Sequence, residues 1–326
     1  MSRTDLPSPA RIVFLDRESL PTETVLRSPD FPHAFVAFER SAPDEVAERI
    51  ADADIVITNK VPVRAEAIAG ADRLRLIAVS ATGTDMVDLK ACAAHGIVVS
   101  NVRDYACTTV PEHTFALIFA LRRSLLAYHQ SVRGGRWQTA SQFCFLDHPI
   151  GDLAGSTIGI IGGGALGGAV GDIARALGMT VLFAGRKGAT PAEGKVAFEE
   201  VLARGDVITL HVPLTPETRG MIGAPEFALM ARHPILINTA RGGLVDETAL
   251  GAALASGQIA GAGFDVASAE PPPADHPLMA LLDHPNFILT PHVAWASRDG
   301  AQALADQTID NIEAFHAGAP RNVVGG

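Results

Sequence analysis

Residues 156–188, STIGIIGGGALGGAVGDIARALGMTVLFAGRKG, read in order as an apolar strand, a glycine turn, a helix and a second apolar strand. The turn carries Gly162-x-Gly164-x-x-Gly167. In a chain with 31 glycines that spacing alone is a weak signal, but its place between a strand and a helix is what a dinucleotide-binding βαβ unit requires. Glycines there permit a tight turn and let backbone N–H groups come close to a pyrophosphate, while the helix beginning near Ala165 offers its positive end. The unit predicts a doubly wound α/β fold with a parallel sheet.

Moving outward, the runs IGIIG, TVLFA, DVITLH, ILINTA, IAGAGFDV and FILTPH alternate with helical patterns from Thr157 to about Ala294, which predicts about six parallel strands. Three of them end on chemically useful side chains: Arg241 in ILINTARGGLVDE, Glu270 in GAGFDVASAEPPP and His292 in FILTPHVAWAS. In open parallel sheets ligands bind beyond the carboxyl ends of strands, so these three are candidates for one site. Upstream, residues 11–101 alternate short strands (RIVFLD, AFVAFE, ADIVITN, LRLIAVS, GIVVSNV) with helical patterns, as in a second, smaller doubly wound domain without a glycine fingerprint. VPEHTFALIFALRRSLLAYHQSVRGG reads as one long helix, with Pro111 in its first turn and Gly134-Gly135 at its end. ASRDGAQALADQTIDNIEAFHAG reads as the last helix.

The stretches ATGTDMVDL, TTVPEHTFALIFALRR, the glycine loop, NTARGGLVDE and PHVAWAS together resemble the NAD(P)-dependent D-isomer-specific 2-hydroxyacid dehydrogenases, over residues 81 to 324. Within that family SQFCFLDHPI, HVAWAS and IDNIEAFHAGAPRNVV are most similar to hydroxypyruvate reductases, also called glycerate dehydrogenases. The resemblance implies a discontinuous substrate domain (residues 1–105 and 297–326), an NAD(P)-binding domain (106–296) and an active site in the cleft between them. It implies reduction of hydroxypyruvate or glyoxylate, with another 2-keto acid, or a dinucleotide-sensing module without catalysis, as the alternatives. It places Ala165 and Leu166 at the pyrophosphate, and Thr109, Val212, Pro213, Thr218, Thr239, Ala240 and Asp265 along the adenine or nicotinamide side. Thr82 and Gly83 match a loop whose N–H groups bind the substrate carboxylate; Trp295, three residues after His292, is a candidate wall of the pocket, with ordinary packing of a large apolar ring as the alternative. It also implies a homodimer, which the long apolar helix and its Gly-Arg-Trp extension suit.

The chemistry fits the residues. Reducing a 2-keto acid needs a hydride on the carbonyl carbon, a proton for the developing alkoxide and a counter-charge for the carboxylate. Arg241 suits the last task because guanidinium stays charged and offers two-point hydrogen bonding, and the family equivalent also approaches the carbonyl oxygen. His292 can give the proton in reduction and take it in oxidation, and Glu270 would hold one ring nitrogen and favour the imidazolium. His113 and His211 lie in patterns where packing or a cofactor-side role suffices.

At the end of the second strand the chain departs from the commoner pattern. An NAD enzyme usually has an acid there for the ribose 2′-hydroxyl, whereas this sequence has Gly185, Arg186 and Lys187. Two cations without a carboxylate favour NADP(H) over NAD(H), which stays possible, and predict that Gly185→Asp would reverse the preference.

Composition agrees. With 326 residues, 48% hydrophobic and 19% charged, the chain is globular and long enough for two cores. A net charge of −10 argues against a basic nucleic-acid surface. Cys92, Cys107 and Cys144 are widely spaced and lack metal-ligand spacing, as expected of reduced cytoplasmic thiols, and no metal is implied. No run resembles a signal peptide or membrane span.

Overall fold

The computed structural model describes residues 6–325, which fold as two compact units. One runs to Ala106 and resumes at Ala296; the other is Cys107–Trp295. The first contains β1 (Ala10–Phe14), β2 (His33–Ala37), β3 (Ile55–Thr58), β4 (Leu76–Val79) and β5 (Val98–Ser100), with helices α1 (Val46–Ile50), α2 (Ala65–Ala69) and α3 (Leu89–His95) between strands. Its strands are all parallel in the order β2-β1-β3-β4-β5, the arrangement of flavodoxin-like sheets.

The second unit opens with α4 (Thr109–Arg122) and α5 (Leu125–Arg133). These form a broken helix where the sequence predicts a continuous one. Ser124 adopts φ +48 and its hydroxyl donates to Pro149 O at 2.6 Å, so a long-range bond holds the chain out of helical geometry. Local apolar spacing carries no sign of that partner. Then come β6 (Thr157–Ile161), α6 (Ala165–Ala176), β7 (Thr180–Phe183), α7 (Phe198–Arg204), β8 (Val207–Leu210), α8 (Ala224–Ala228), β9 (Ile235–Asn238), α9 (Glu247–Ala255), β10 (Gly261–Phe264) and β11 (Phe287–Leu289). The final helix, α10 (Arg298–His316), belongs to the first unit, where it packs on β4 and Ser80 Oγ lies 3.1 Å from Thr308 Oγ1.

The six strands of the second sheet are parallel in the order β11-β10-β9-β8-β6-β7, so the order reverses between β6 and β8. Strands β8, β9 and β10 are buried throughout because helices cover both faces. Phe115, Ile118 and Val170 pack on one side and Phe198, Phe227 and Leu250 on the other, each fully buried apolar side chain contributing about 1.5–3 kcal/mol. Among the described residues no helix is long and apolar enough to cross a membrane.

Candidate active site

All the chemistry predicted for the second half of the chain follows the carboxyl ends of strands in this one sheet. Gly162 to Gly167 follow β6, Gly185 to Lys187 follow β7, Val212 and Pro213 follow β8, Thr239 to Arg241 follow β9, Asp265 and Glu270 follow β10, and His292 follows β11. Gly162 turns the chain with φ +109, and a Cβ there would stand 2.3 Å from His211 O, so only glycine fits between β6 and the β8 loop. The N-cap of α6 is Gly164, which has no side chain to cap the helix, and the helix's first residues are Ala165, Leu166 and Gly167.

The imidazole and the carboxylate meet. His292 Nδ1 lies 2.6 Å from Glu270 Oε2, and because an ionised carboxylate only accepts, Nδ1 is the protonated nitrogen and Nε2 the one turned away. The other Glu270 oxygen, Oε1, accepts from Ala267 N–H at 3.0 Å. His292 adopts φ +56, an uncommon conformation for a residue with a side chain, so its surroundings must hold it. Asp265, 1% exposed, does much of this: Oδ1 accepts from Val293 N–H (3.0 Å) and the Thr290 hydroxyl (2.5 Å), and Oδ2 from Ala294 N–H (2.8 Å). Trp295 Nε1 donates to His292 O at 3.0 Å, and Thr109 Oγ1 to Ala294 O at 2.9 Å. Thr290 Oγ1 is also 3.0 Å from His113 Nε2, which gives His113 a packing partner.

Arg241 is set by Asn238, the last residue of β9, whose Oδ1 accepts from Ala240 N–H and whose Nδ2 donates to Arg241 O. The guanidinium itself donates to Ala240 O at 2.7 Å. Thr239 Oγ1 is 3.0 Å from the buried Thr114 Oγ1, and Thr218 Oγ1 donates to Pro213 O at 2.8 Å, bracing the loop after β8. Thr82 and Gly83 lie in the first unit after β4, where Thr82 Oγ1 donates to Val102 O. Asn238, Thr290 and Asn101, which donates to Thr82 O, were not singled out by sequence reasoning. Each is a short polar residue at a strand end, and only its hydrogen bonds across the fold distinguish it.

At the end of β7 the two cations differ. Both are exposed, but Lys187 Nζ pairs with Glu226 Oε1 at 2.7 Å and donates to Met221 O at 3.0 Å, whereas Arg186 acts on Glu217 only through charge. Gly185 is buried, and a Cβ on it would stand 3.1 Å from Pro191 Cα and 3.3 Å from Val196 O. The close crossing of the 191–196 segment therefore explains the glycine. It also makes Gly185→Asp a poor exchange, since the acid would have to push that segment aside.

His211 differs from His292. Its Nε2 is 2.9 Å from Thr209 Oγ1, its Nδ1 is shut off from solvent without a partner among the described residues, and burial pushes its pKa down to about 4. Unfolded, the ring takes a proton near pH 6.5; folded, only near 4. Its contribution to stability is therefore whole above about 6.5 and erodes as the pH falls toward 4, by up to about 3 kcal/mol. We expect urea midpoints to drop over that window and His211→Gln to flatten the drop; parallel acid limbs for the two proteins would refute it.

A family model described as D-isomer specific 2-hydroxyacid dehydrogenase, NAD binding domain, matches residues 115–294. The chain belongs to the D-isomer specific 2-hydroxyacid dehydrogenases. This dehydrogenase is 54% identical to the glycerate dehydrogenase of Methylorubrum extorquens over 96% of its own length and 98% of the relative's. It is 39% identical to the hydroxypyruvate reductase of Blautia hydrogenotrophica, over 86% and 88% of the two chains. A crystal structure of an NADPH-dependent glyoxylate/hydroxypyruvate reductase from Sinorhizobium meliloti superposes with a TM-score of 0.83 at 30% identity, covering 97% of each chain. The dehydrogenase is thus an oxidoreductase acting on a CH–OH group, with an NAD binding domain that runs from within α4 to just past β11. Among the described residues no cluster of three or more His, Cys, Asp or Glu side chains could hold a metal.

Proposed function

We propose that this dehydrogenase reduces hydroxypyruvate to D-glycerate and glyoxylate to glycolate, with His292 as the proton donor. The observation that carries the reading is the 2.6 Å contact of Glu270 Oε2 with His292 Nδ1, which presents Nε2 as the nitrogen for proton exchange. The dinucleotide, when bound, supplies the hydride. Gly162, Gly164, Gly167, Ala165 and Leu166 would hold its pyrophosphate, which suits an uncapped helix end; a Cβ on Gly164 would meet no protein atom within 4 Å, so close packing within the chain is not what a glycine there serves. Thr109, Val212, Pro213, Thr218, Thr239, Ala240 and Asp265 would line the rest of the cofactor, Asp265 chiefly by bracing the His292 loop. Arg241 neutralises the substrate carboxylate and the oxyanion, with Thr82, Gly83 and Trp295 as further substrate contacts. As the carbonyl oxygen gains charge, His292 gives up its Nε2 proton, and the Glu270 carboxylate steadies the charged ring until then. Steady-state oxidation of NADPH and NADH with hydroxypyruvate tests the function. Turnover with pyruvate or branched 2-keto acids far exceeding that with hydroxypyruvate would refute the substrate, and dinucleotide binding without any turnover would favour a sensing module.

NADP(H) is the preferred cofactor in this reading, through Arg186, which is exposed just past β7, close enough to Glu217 to help lower that carboxyl's pKa but in no ion pair as short as that of Lys187 with Glu226. Arg186→Ala should raise the KM for NADPH by about tenfold, the scale of one charge-assisted contact, and leave that for NADH nearly unchanged. Equal effects on the two cofactors would sink the assignment.

The enzyme acts as a homodimer in this reading. Leu125, Leu126, Trp137, Phe143, Leu146 and Ile150 are all exposed along α5 and the segment after it, more apolar surface than an isolated chain leaves open in one region. Sedimentation giving only a 34.1 kDa species at micromolar concentration would reject it.

A further inference from the structure

The segment between Phe264 and Met279, which carries Glu270, forms neither helix nor strand. Something other than a backbone ladder must hold it. One carboxylate grips it at Ser268 and at His276: Glu247 Oε1 accepts from Ser268 N–H at 2.8 Å, and Oε2 accepts from the Ser268 hydroxyl at 2.7 Å. The same Oε2 lies 3.1 Å from His276 Nε2, which is also 2.9 Å from Ser268 Oγ. Glu247 and His276 are only 8% and 6% exposed. Leu278 N–H donates to His276 Nδ1 at 3.3 Å, so Nδ1 accepts and the ring proton sits on Nε2, facing Ser268 and Glu247. Every polar atom of the cluster then has a partner of the right kind, and Glu270 lies between the two gripped points, two residues from Ser268 and six from His276. The cluster is no serine-hydrolase triad, because the carboxylate meets the same ring nitrogen as the hydroxyl, while the ring's other nitrogen takes a backbone N–H where a triad would have the acid.

Glu247 is the first residue of α9, five residues beyond Gly242, and a Cβ on Gly242 would stand 1.8 Å from Ala267 O. The Arg241 turn and the Glu270 segment are thus joined twice, by backbone contact at Gly242 and by the Glu247 carboxylate.

We propose that Glu247, Ser268 and His276 form a latch that positions Glu270 against His292 and locks the Arg241 turn to the same segment, making all three positioning residues for keto-acid reduction. The inference rests on the reading of His292 as the proton donor, and its test separates the two.

Glu247→Gln keeps size but turns an acceptor of three contacts into a mixed donor and acceptor, and Ser268→Ala deletes the bridging hydroxyl at an exposed residue where folding is at little risk. In both, kcat with hydroxypyruvate should fall about tenfold or more, as a small misplacement of a reacting group costs, with the cofactor Kd within twofold of wild type. The upper pH limit of reduction should move to lower pH, in the direction that Glu270→Gln moves it, because the carboxylate is no longer held beside the protonated ring. Asp265, at the start of that segment, remains bound to Thr290, Val293 and Ala294 and does not change. In the Glu270→Gln background the latch substitutions should cost less than a further twofold, the mark of residues acting through one another. A folded Ser268→Ala protein with an unchanged pH limit, or a full additive loss in the double variant, overturns the latch. Unchanged pH limits in Glu270→Gln itself would overturn the underlying site instead.

Discussion

His292→Asn should lower kcat for hydroxypyruvate reduction by roughly a thousandfold, within the range that general acid catalysis supplies. Asparagine is the substitution to make because His292 has φ +56, a conformation that Asn adopts readily and Ala does not, so the loss can be assigned to the imidazole and not to a sprung backbone. The Asp265 bonds to Val293 and Ala294 remain, and the dinucleotide should bind with near-normal affinity in a fluorescence titration. Such a pattern, kcat lost and cofactor binding kept, is that of a group needed in the transition state. Retention of a tenth or more of wild-type turnover would remove His292 from the chemistry.

Gly242→Ala should be the most damaging change of a single methyl group. A Cβ at that position falls 1.8 Å from Ala267 O, 2.1 Å from Ala267 C and 2.5 Å from Ser268 N, all backbone atoms with no rotamer to relieve the overlap. The turn bearing Arg241 and the segment bearing Glu270 would have to separate. We expect a loss of about 3 kcal/mol in stability and about a hundredfold in kcat/KM, with the KM for the keto acid rising as Arg241 shifts. Gly70→Ala, at the end of α2 with nothing within 4 Å of the added carbon, is the matched control and should leave both quantities alone. Wild-type activity and stability in Gly242→Ala would show that the two segments are not keyed together there.

Much of this molecule is legible in the order of its residues because the signals are local. Period and composition mark the strands, Gly162, Gly164 and Gly167 mark a turn that must be tight, and the placement of Arg241, Glu270 and His292 after apolar runs puts all of them beyond strand ends of one parallel sheet. A parallel sheet has a single carboxyl edge, so strand direction alone brings such residues to the same side. The contact of Glu270 with His292 could be anticipated from chemistry once both were on that edge, since an imidazole that must carry charge wants a carboxylate.

Partners distant in sequence were decided only by the tertiary structure. The break between α4 and α5 comes from Pro149, Gly185 is explained by Pro191 and Val196, and Lys187, not Arg186 beside it, is paired with Glu226. Asp265 serves the His292 loop through residues more than twenty positions away, and Glu247 grips Ser268 across a similar gap. Sequence pattern specifies which backbone a segment prefers and which face is apolar. It carries no record of which hydrogen-bonding groups close packing will bring within 3 Å, and in this dehydrogenase those pairings hold the reacting groups in place.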